Sequence, residues 1–175
     1  MTWLLAAVFA LMAARAMPEG REYDVKAAFI YNIVNFTTWP PDAFSSASDP
    51  IDVCVLGADP FGPALDRMLE GSNASGRPIT LERLRDDGAA ARCSLVFVPA
   101  AASVRVPQLL RAIGDRPILT VGESPDFLKQ GGIINFVIDN GRVRFDVNVN
   151  AATARRLSLS SRLLRVARHT IGAGS

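Results

Sequence analysis

Four short apolar runs decide what this chain can become: IDVCVL (51–56), CSLVFV (93–98), PILTV (117–121) and IINFVI (133–138). Each has the length of a strand and is apolar at consecutive positions, so both of its faces need cover. Strands of that kind belong inside a sheet with helices packed above and below. The stretches between the runs supply those helices. Residues 61–70 read as one, after the turn Gly57-Ala58-Asp59-Pro60, and residues 106–113 as another. Ahead of the first run, residues 22–36 repeat Val25, Phe29, Ile33 and Phe36 at helical spacing. Trp39-Pro40-Pro41 stops that helix, because a residue before proline is pushed out of the helical region.

The last third of the chain adds a different pattern. Ser124 is a good N-cap and Pro125 suits a first helical position, so a short helix is predicted up to Gly131-Gly132. Asp139-Asn140-Gly141 is a tight hairpin signal. After it Val143, Phe145, Val147 and Val149 alternate with Arg142, Arg144, Asp146 and Asn148, which predicts a strand with one wet face. Residues 151–156 and 160–168 read as helical, and residues 78–84 as a half-buried strand. The predicted fold is α/β: a mostly parallel or mixed central sheet flanked by helices, with an antiparallel C-terminal hairpin. A length of 175 residues suits one such domain.

The first sixteen residues read as an address. Residues 3–14 are continuously apolar, which is too short for a hydrocarbon core that takes about 20 residues to cross. Ala14-Arg15-Ala16 supplies a small-x-small end, so a signal peptide over 1–16 is expected, cleaved after Ala16. An uncleaved start is the alternative, since the segment before the apolar run has no lysine or arginine. Cleavage removes Arg15 and lowers the formal charge of +2 by one. The remaining domain, residues 17–175, is expected outside the cytoplasm, periplasmic in a Gram-negative source and not embedded in a membrane. So small a charge gives no clustered basic surface for nucleic acid.

Cys54 and Cys93 each sit in a strand-like run. Export permits a disulfide between them; two buried thiols that never meet are the alternative. A redox enzyme is disfavoured, because there is no C-x-x-C pair. Two cysteines and His169 are too few for a zinc finger or a site needing several imidazoles, and no metal or cofactor site is expected.

The usual catalytic constellations are missing as well. Gly57-Ala58-Asp59-Pro60-Phe61-Gly62 follows the first strand, where open α/β sheets bind ligands. It lacks the lysine of a phosphate loop and the three glycines of a dinucleotide site. Ser124 is better explained as a helix cap than as a nucleophile, and His169, near the C-terminus, as a frayed, solvated residue. Arg155, Arg162 and Arg165 fall at helical spacing, either as a wet face or as a surface for an acidic partner. Binding or regulation is therefore favoured over catalysis, with no catalytic residue assigned.

An ordered set of blocks carries a resemblance. KAAFIYN (26–32) leads into Trp39-Pro40; CVLG (54–57) is followed by DPFG (59–62) and GRPI (76–79). ILTVG (118–122), GGIINF (131–136), RFDVN (144–148) and SSRLL (160–164) complete it, over roughly residues 23–168. In these blocks the chain resembles the YfiR/HmsC family of periplasmic regulators. The resemblance implies a repressor that binds the periplasmic sensor region of an inner-membrane diguanylate cyclase, its release raising cyclic-di-GMP and favouring biofilm formation. It implies a Cys54–Cys93 disulfide, and suggests a redox input and release by an outer-membrane lipoprotein. Two departures stand out: Ser94 replaces a histidine often found after the second cysteine, and no cysteines exist for a second, C-terminal bridge. The oligomeric state stays open, with a homodimer among the options. The partner surface is expected on the hairpin edge, through Phe145, Asp146, Val147 and Asn148, and on the tail through Arg155 and Arg162. The alternative is a small-molecule sensor, taking an anion or nucleotide at Gly57, Asp59 and Gly62. A hydrolase is a third class, which a broad activity screen would test.

Overall fold

A computed structural model describes residues 18–172. The expected signal peptide lies outside the described residues. The elements follow in the order α1 (Glu19–Asn35), β1 (Thr37–Thr38), β2 (Ile51–Leu56), α2 (Pro63–Leu69), β3 (Asn73–Ala74), β4 (Arg77–Leu84) and β5 (Leu95–Val98). Then come α3 (Val106–Ile113), β6 (Leu119–Gly122), β7 (Ile134–Asp139), β8 (Arg142–Asn148), α4 (Val149–Ala154), β9 (Ser158–Leu159), α5 (Ser161–Val166) and β10 (His169–Ile171). An eight-stranded sheet runs β10-β8-β7-β6-β5-β2-β4-β3, and β1 pairs with β9 beside it.

The stretch from β4 to β7 is parallel throughout. Its spatial order, second strand, first, third, fourth, fifth, is that of a doubly wound sheet, whose reversal of winding falls between β2 and β5. β7 and β8 form the antiparallel hairpin, turning at Asn140-Gly141, where both residues have positive φ.

Successive residues of a strand face opposite sides, and the two sides bury two cores. Val53, Val55, Leu95, Phe97, Ile134, Phe136 and Phe145 pack under α1 and α2. Cys54, Leu56, Val96 and Val98 pack under Val106, Leu109 and Ile113 of α3 and under Phe127.

Three local expectations are corrected. The buried stripe of α1 is Lys26, Ala27, Ile30, Ile33 and Val34, rotated from the expected one; Val25 is exposed and Phe29 half-buried. Residues 124–131 form linked turns rather than a helix, because the glycines leave too few residues to repay nucleation. His169 is not frayed: it starts β10, which runs parallel to β8 and closes that side of the sheet.

Candidate functional site

The loop at the winding reversal is filled by the protein itself. Gly57 (φ +80) turns the chain, and the side chains of Ala102 and Arg105 stand against it. Arg105 pairs with Asp87 and donates to the Arg85 carbonyl. Asp59 has its carboxylate engaged: Oδ1 accepts from the Phe61 N–H at 2.7 Å and Oδ2 from Arg83 Nε at 2.8 Å. Gly62 (φ +52) opens α2. Gly57, Asp59 and Gly62 thus form a closed turn, and Arg83, not the arginines near the C-terminus, meets Asp59.

The open space lies further along the sheet. A groove of about 690 Å³ runs from the first turns of α1, past the segments leaving β5 and β6, to β7, β8 and β10. At its inner end Glu123, just after β6, ties three segments together. Its Oε1 accepts from the Tyr23 hydroxyl at 3.0 Å and the Ala100 N–H at 2.9 Å, and its Oε2 from Lys26 Nζ at 2.5 Å. Glu22, one turn before Lys26, pairs with the same ammonium. The Lys26 and Glu123 side chains are only 4% and 5% exposed, and the ammonium also lies 4.4 Å from the Tyr23 ring centre. Buried charges need such pairing, since desolvation is costly for either one alone.

At the outer end Asp146 of β8 accepts from Arg168 Nε at 2.9 Å and Nη2 at 2.6 Å, with His169 Nδ1 at 3.3 Å. The Arg168 hydrogen bonds hold the Asp146 carboxyl below its ordinary pKa, His169 adding to them against the opposing effect of burial. Opposite Asp146 across the β7–β8 ladder sits Asn135, 5% exposed, whose Oδ1 is buried without a hydrogen-bond partner. Phe136, Val137 and Ile138 continue the lining, with Leu128 and Ile171.

The residues expected to meet a partner are thus dispersed. Phe145 and Val147 are buried in the core. The hairpin edge expected to be open is covered, because β10 pairs with Asp146, Val147 and Asn148. Asn148 caps α4 by accepting from the Ala151 N–H. Arg155 ends α4 and reaches the Gly131 carbonyl at 3.3 Å, its Nε buried and unpartnered; burial pulls its pKa down, partly opposed by Asp115. Arg162 is exposed on α5, a different helix. Lys26, Glu123 and Asn135 were not singled out from the sequence. The Glu22–Lys26 spacing was a visible signal; their long-range partners were not.

Cys54 and Cys93 form a disulfide, with Cα atoms 6.1 Å apart and both residues buried. It joins β2 to the segment entering β5, its neighbour in the sheet. Among the described residues no group of three or more His, Cys, Asp and Glu could hold a metal, and no helix is long and apolar enough to cross a membrane.

The chain folds as a doubly wound α/β domain with an open groove beside β7, β8 and β10. The family comparison is more specific: residues 23–168 match the model of the YfiR/HmsC-like family (DUF4154), and the chain belongs to that family of periplasmic regulators of diguanylate cyclase signalling. Its members are regulators rather than enzymes. No curated protein matches the chain. Two solved structures share the fold. One is a conserved domain protein from Vibrio cholerae O1 biovar El Tor strain N16961, with TM-score 0.56 and 11% identity over 85% of this chain. The other is an ABC domain from Streptococcus pneumoniae in complex with L-Trp, with TM-score 0.52 and 10% identity over 88% of this chain. The chain spans 60% of the length of each.

Proposed function

We propose that this protein is a periplasmic repressor that binds the periplasmic sensor region of an inner-membrane diguanylate cyclase and lowers its cyclic-di-GMP output. The observation that carries the reading is the family match over residues 23–168. The block is non-covalent and rises with concentration. The repressor binds one state of the cyclase better than the other and so shifts its population. A tenfold change in that equilibrium takes about 1.4 kcal/mol of differential binding. An outer-membrane lipoprotein that competes for the repressor would reverse it.

Of the residues expected at the partner surface, Asp146, Asn148 and Arg155 are partly buried and Arg162 is exposed. The buried bridge serves as a constraint on the fold, and the block needs no redox input. The test is binding between the protein lacking residues 1–16 and the cyclase encoded nearest its gene, held in nanodiscs. The reading expects a saturable complex formed on the periplasmic face. Absence of a complex between two folded proteins would remove it.

A further inference from the structure

We propose that the cyclase docks by strand addition: an extended segment of its sensor region, carrying a basic residue, pairs with the free edge of β7 at Phe136–Ile138, in line with β6. The inference rests on the repressor reading and adds where the partner sits, how it is held and what charge it brings.

The strand lengths argue first. β7 is paired with β8 along its whole length, to Asp139. On its other side it meets β6 only through Val121–Ile134 and Gly122–Asn135, because β6 ends at Gly122. The ladder to β8 fixes which backbone groups are left over. The Asn148 N–H donates to the Ile133 carbonyl, so by antiparallel alternation the backbone groups of Asn135, Val137 and Asp139 face β8 and those of Phe136 and Ile138 face away from it. Among the described residues, the Phe136 carbonyl and the Ile138 N–H and carbonyl have no backbone partner.

Such an edge is a template for another strand, and natural edges are blunted by lysine, proline or a covering element. Residues 136–138 are Phe-Val-Ile, without lysine or proline. The space beside them is the groove, at the carboxyl ends of β5 and β6, where open α/β sheets take ligands. A strand added to an edge gains main-chain hydrogen bonds for affinity, and its side chains supply the specificity.

The charge at the inner end argues second. Glu22 and Glu123 share one ammonium, that of Lys26, so the cluster has two carboxylates to one cation. The other cations lining the groove, Lys129 and Arg168, are paired with Asp126 and Asp146. A cation brought by the partner finds a carboxylate there, beside a Glu123 side chain that is only 5% exposed and so little screened by water. An anion is repelled.

The faces of the sheet agree. Phe136 packs in the core under α1, against Phe29 of that helix. Ile138, two residues on, points to the same side, and so does a side chain paired directly opposite it. That is the side of Glu22 and Lys26 on α1. Glu22 is the more exposed carboxylate of the cluster, at 22%, and is the one that a basic side chain at that position meets.

The experiment follows hydrogen exchange, resolved to single amides, in the free protein and in its complex with the nanodisc-held cyclase. Affinity is measured alongside for three variants, each checked for fold by near-UV circular dichroism. Ile138→Pro removes the groove-facing N–H and no bond to β8. Glu22→Gln removes the surplus carboxylate and leaves Lys26 its bond to Glu123. Glu70→Gln makes the same change at an exposed position outside the groove. The Ile138 amide is expected to slow by about tenfold or more in the complex. Ile138→Pro and Glu22→Gln should each weaken binding by about tenfold or more, with Glu70→Gln binding as the unsubstituted protein does. If Ile138→Pro does not fold, the exchange of the Ile138 amide decides in its place. A complex in which that amide exchanges as in the free protein overturns strand addition and leaves the repressor reading standing. Slowed exchange with unchanged affinity in Glu22→Gln overturns the basic residue. No complex with the unsubstituted protein overturns both this proposal and the repressor reading.

Discussion

Lys26 and Glu123 lie 97 residues apart in the chain and 2.5 Å apart in the fold. The contact joins the first helix to the segment leaving β6, and through the Ala100 N–H to the segment leaving β5. The three together make the inner wall of the groove. Removing one partner of a buried pair leaves the other charge without compensation and costs about 3–5 kcal/mol. Lys26→Met should destabilise the protein by an amount of that order in urea unfolding, and Glu123→Gln by less, because the Lys26 ammonium keeps Glu22 as its partner. The double variant should lose clearly less than the sum of the two. Strict additivity would show that the two groups do not interact.

Asp146 sets an acid limit on the outer wall. Its folded carboxyl is held below the unfolded value of 3.8, first by the hydrogen bonds from Arg168. A depressed carboxyl contributes stability that is full above the unfolded pKa and is lost as pH falls through it toward the folded one. Stability should therefore decline below about pH 4 in part through this group. Asp146→Asn should lower stability at pH 7, flatten that acid limb and speed amide exchange in β10. An acid limb identical to that of the unsubstituted protein would show that Asp146 plays no such role.

Phe127 is clamped between two glycines. A Cβ built on Gly132 would lie 2.2 Å from the Phe127 ring, and one on Gly122 would lie 2.5 Å from it. The ring is fully buried under α3, so it has little room to retreat. Gly132→Ala should cost about 1–3 kcal/mol, the range for overpacking a filled core. Combining it with Phe127→Leu should recover part of the loss, measured as a double-mutant cycle in guanidinium.

The Cys54–Cys93 bridge closes a separation of 39 residues, worth about 4 kcal/mol on the chain-entropy model. Both sulfurs are buried, and thiol exchange needs access to a sulfur. Dithiothreitol should leave the bridge intact in native buffer and cleave it readily in urea, as free-thiol titration would report. Cys54→Ala with Cys93→Ala should lower the Tm without changing cyclase binding. Rapid reduction of the native protein would restore the redox input that the family resemblance suggested.

The architecture was legible where burial imposes a period on the residues. The helix over 106–113 and the alternation through 142–148 carry that period plainly, and both stand where they were expected. α1 was harder to read because its buried face includes Lys26, a residue that periodicity counts as exposed. β10 was not legible at all: three exposed residues have no pattern of their own, and pairing with β8 and the Arg168–Asp146 contact hold them in the sheet. The groove belongs to the same class. Its charges, its orphaned amide and its two isoleucines come from six elements or connecting segments, and only the folded topology brings them together.

Cyclic-di-GMP synthesis by the membrane-reconstituted cyclase tests the central claim most directly. The protein lacking residues 1–16 is added on the periplasmic side of vesicles that carry the cyclase encoded nearest its gene. The account predicts that synthesis falls saturably as the protein is added, and that reductant alone does not restore it. Synthesis unchanged at saturating concentrations, with both proteins folded, would contradict the repressor reading.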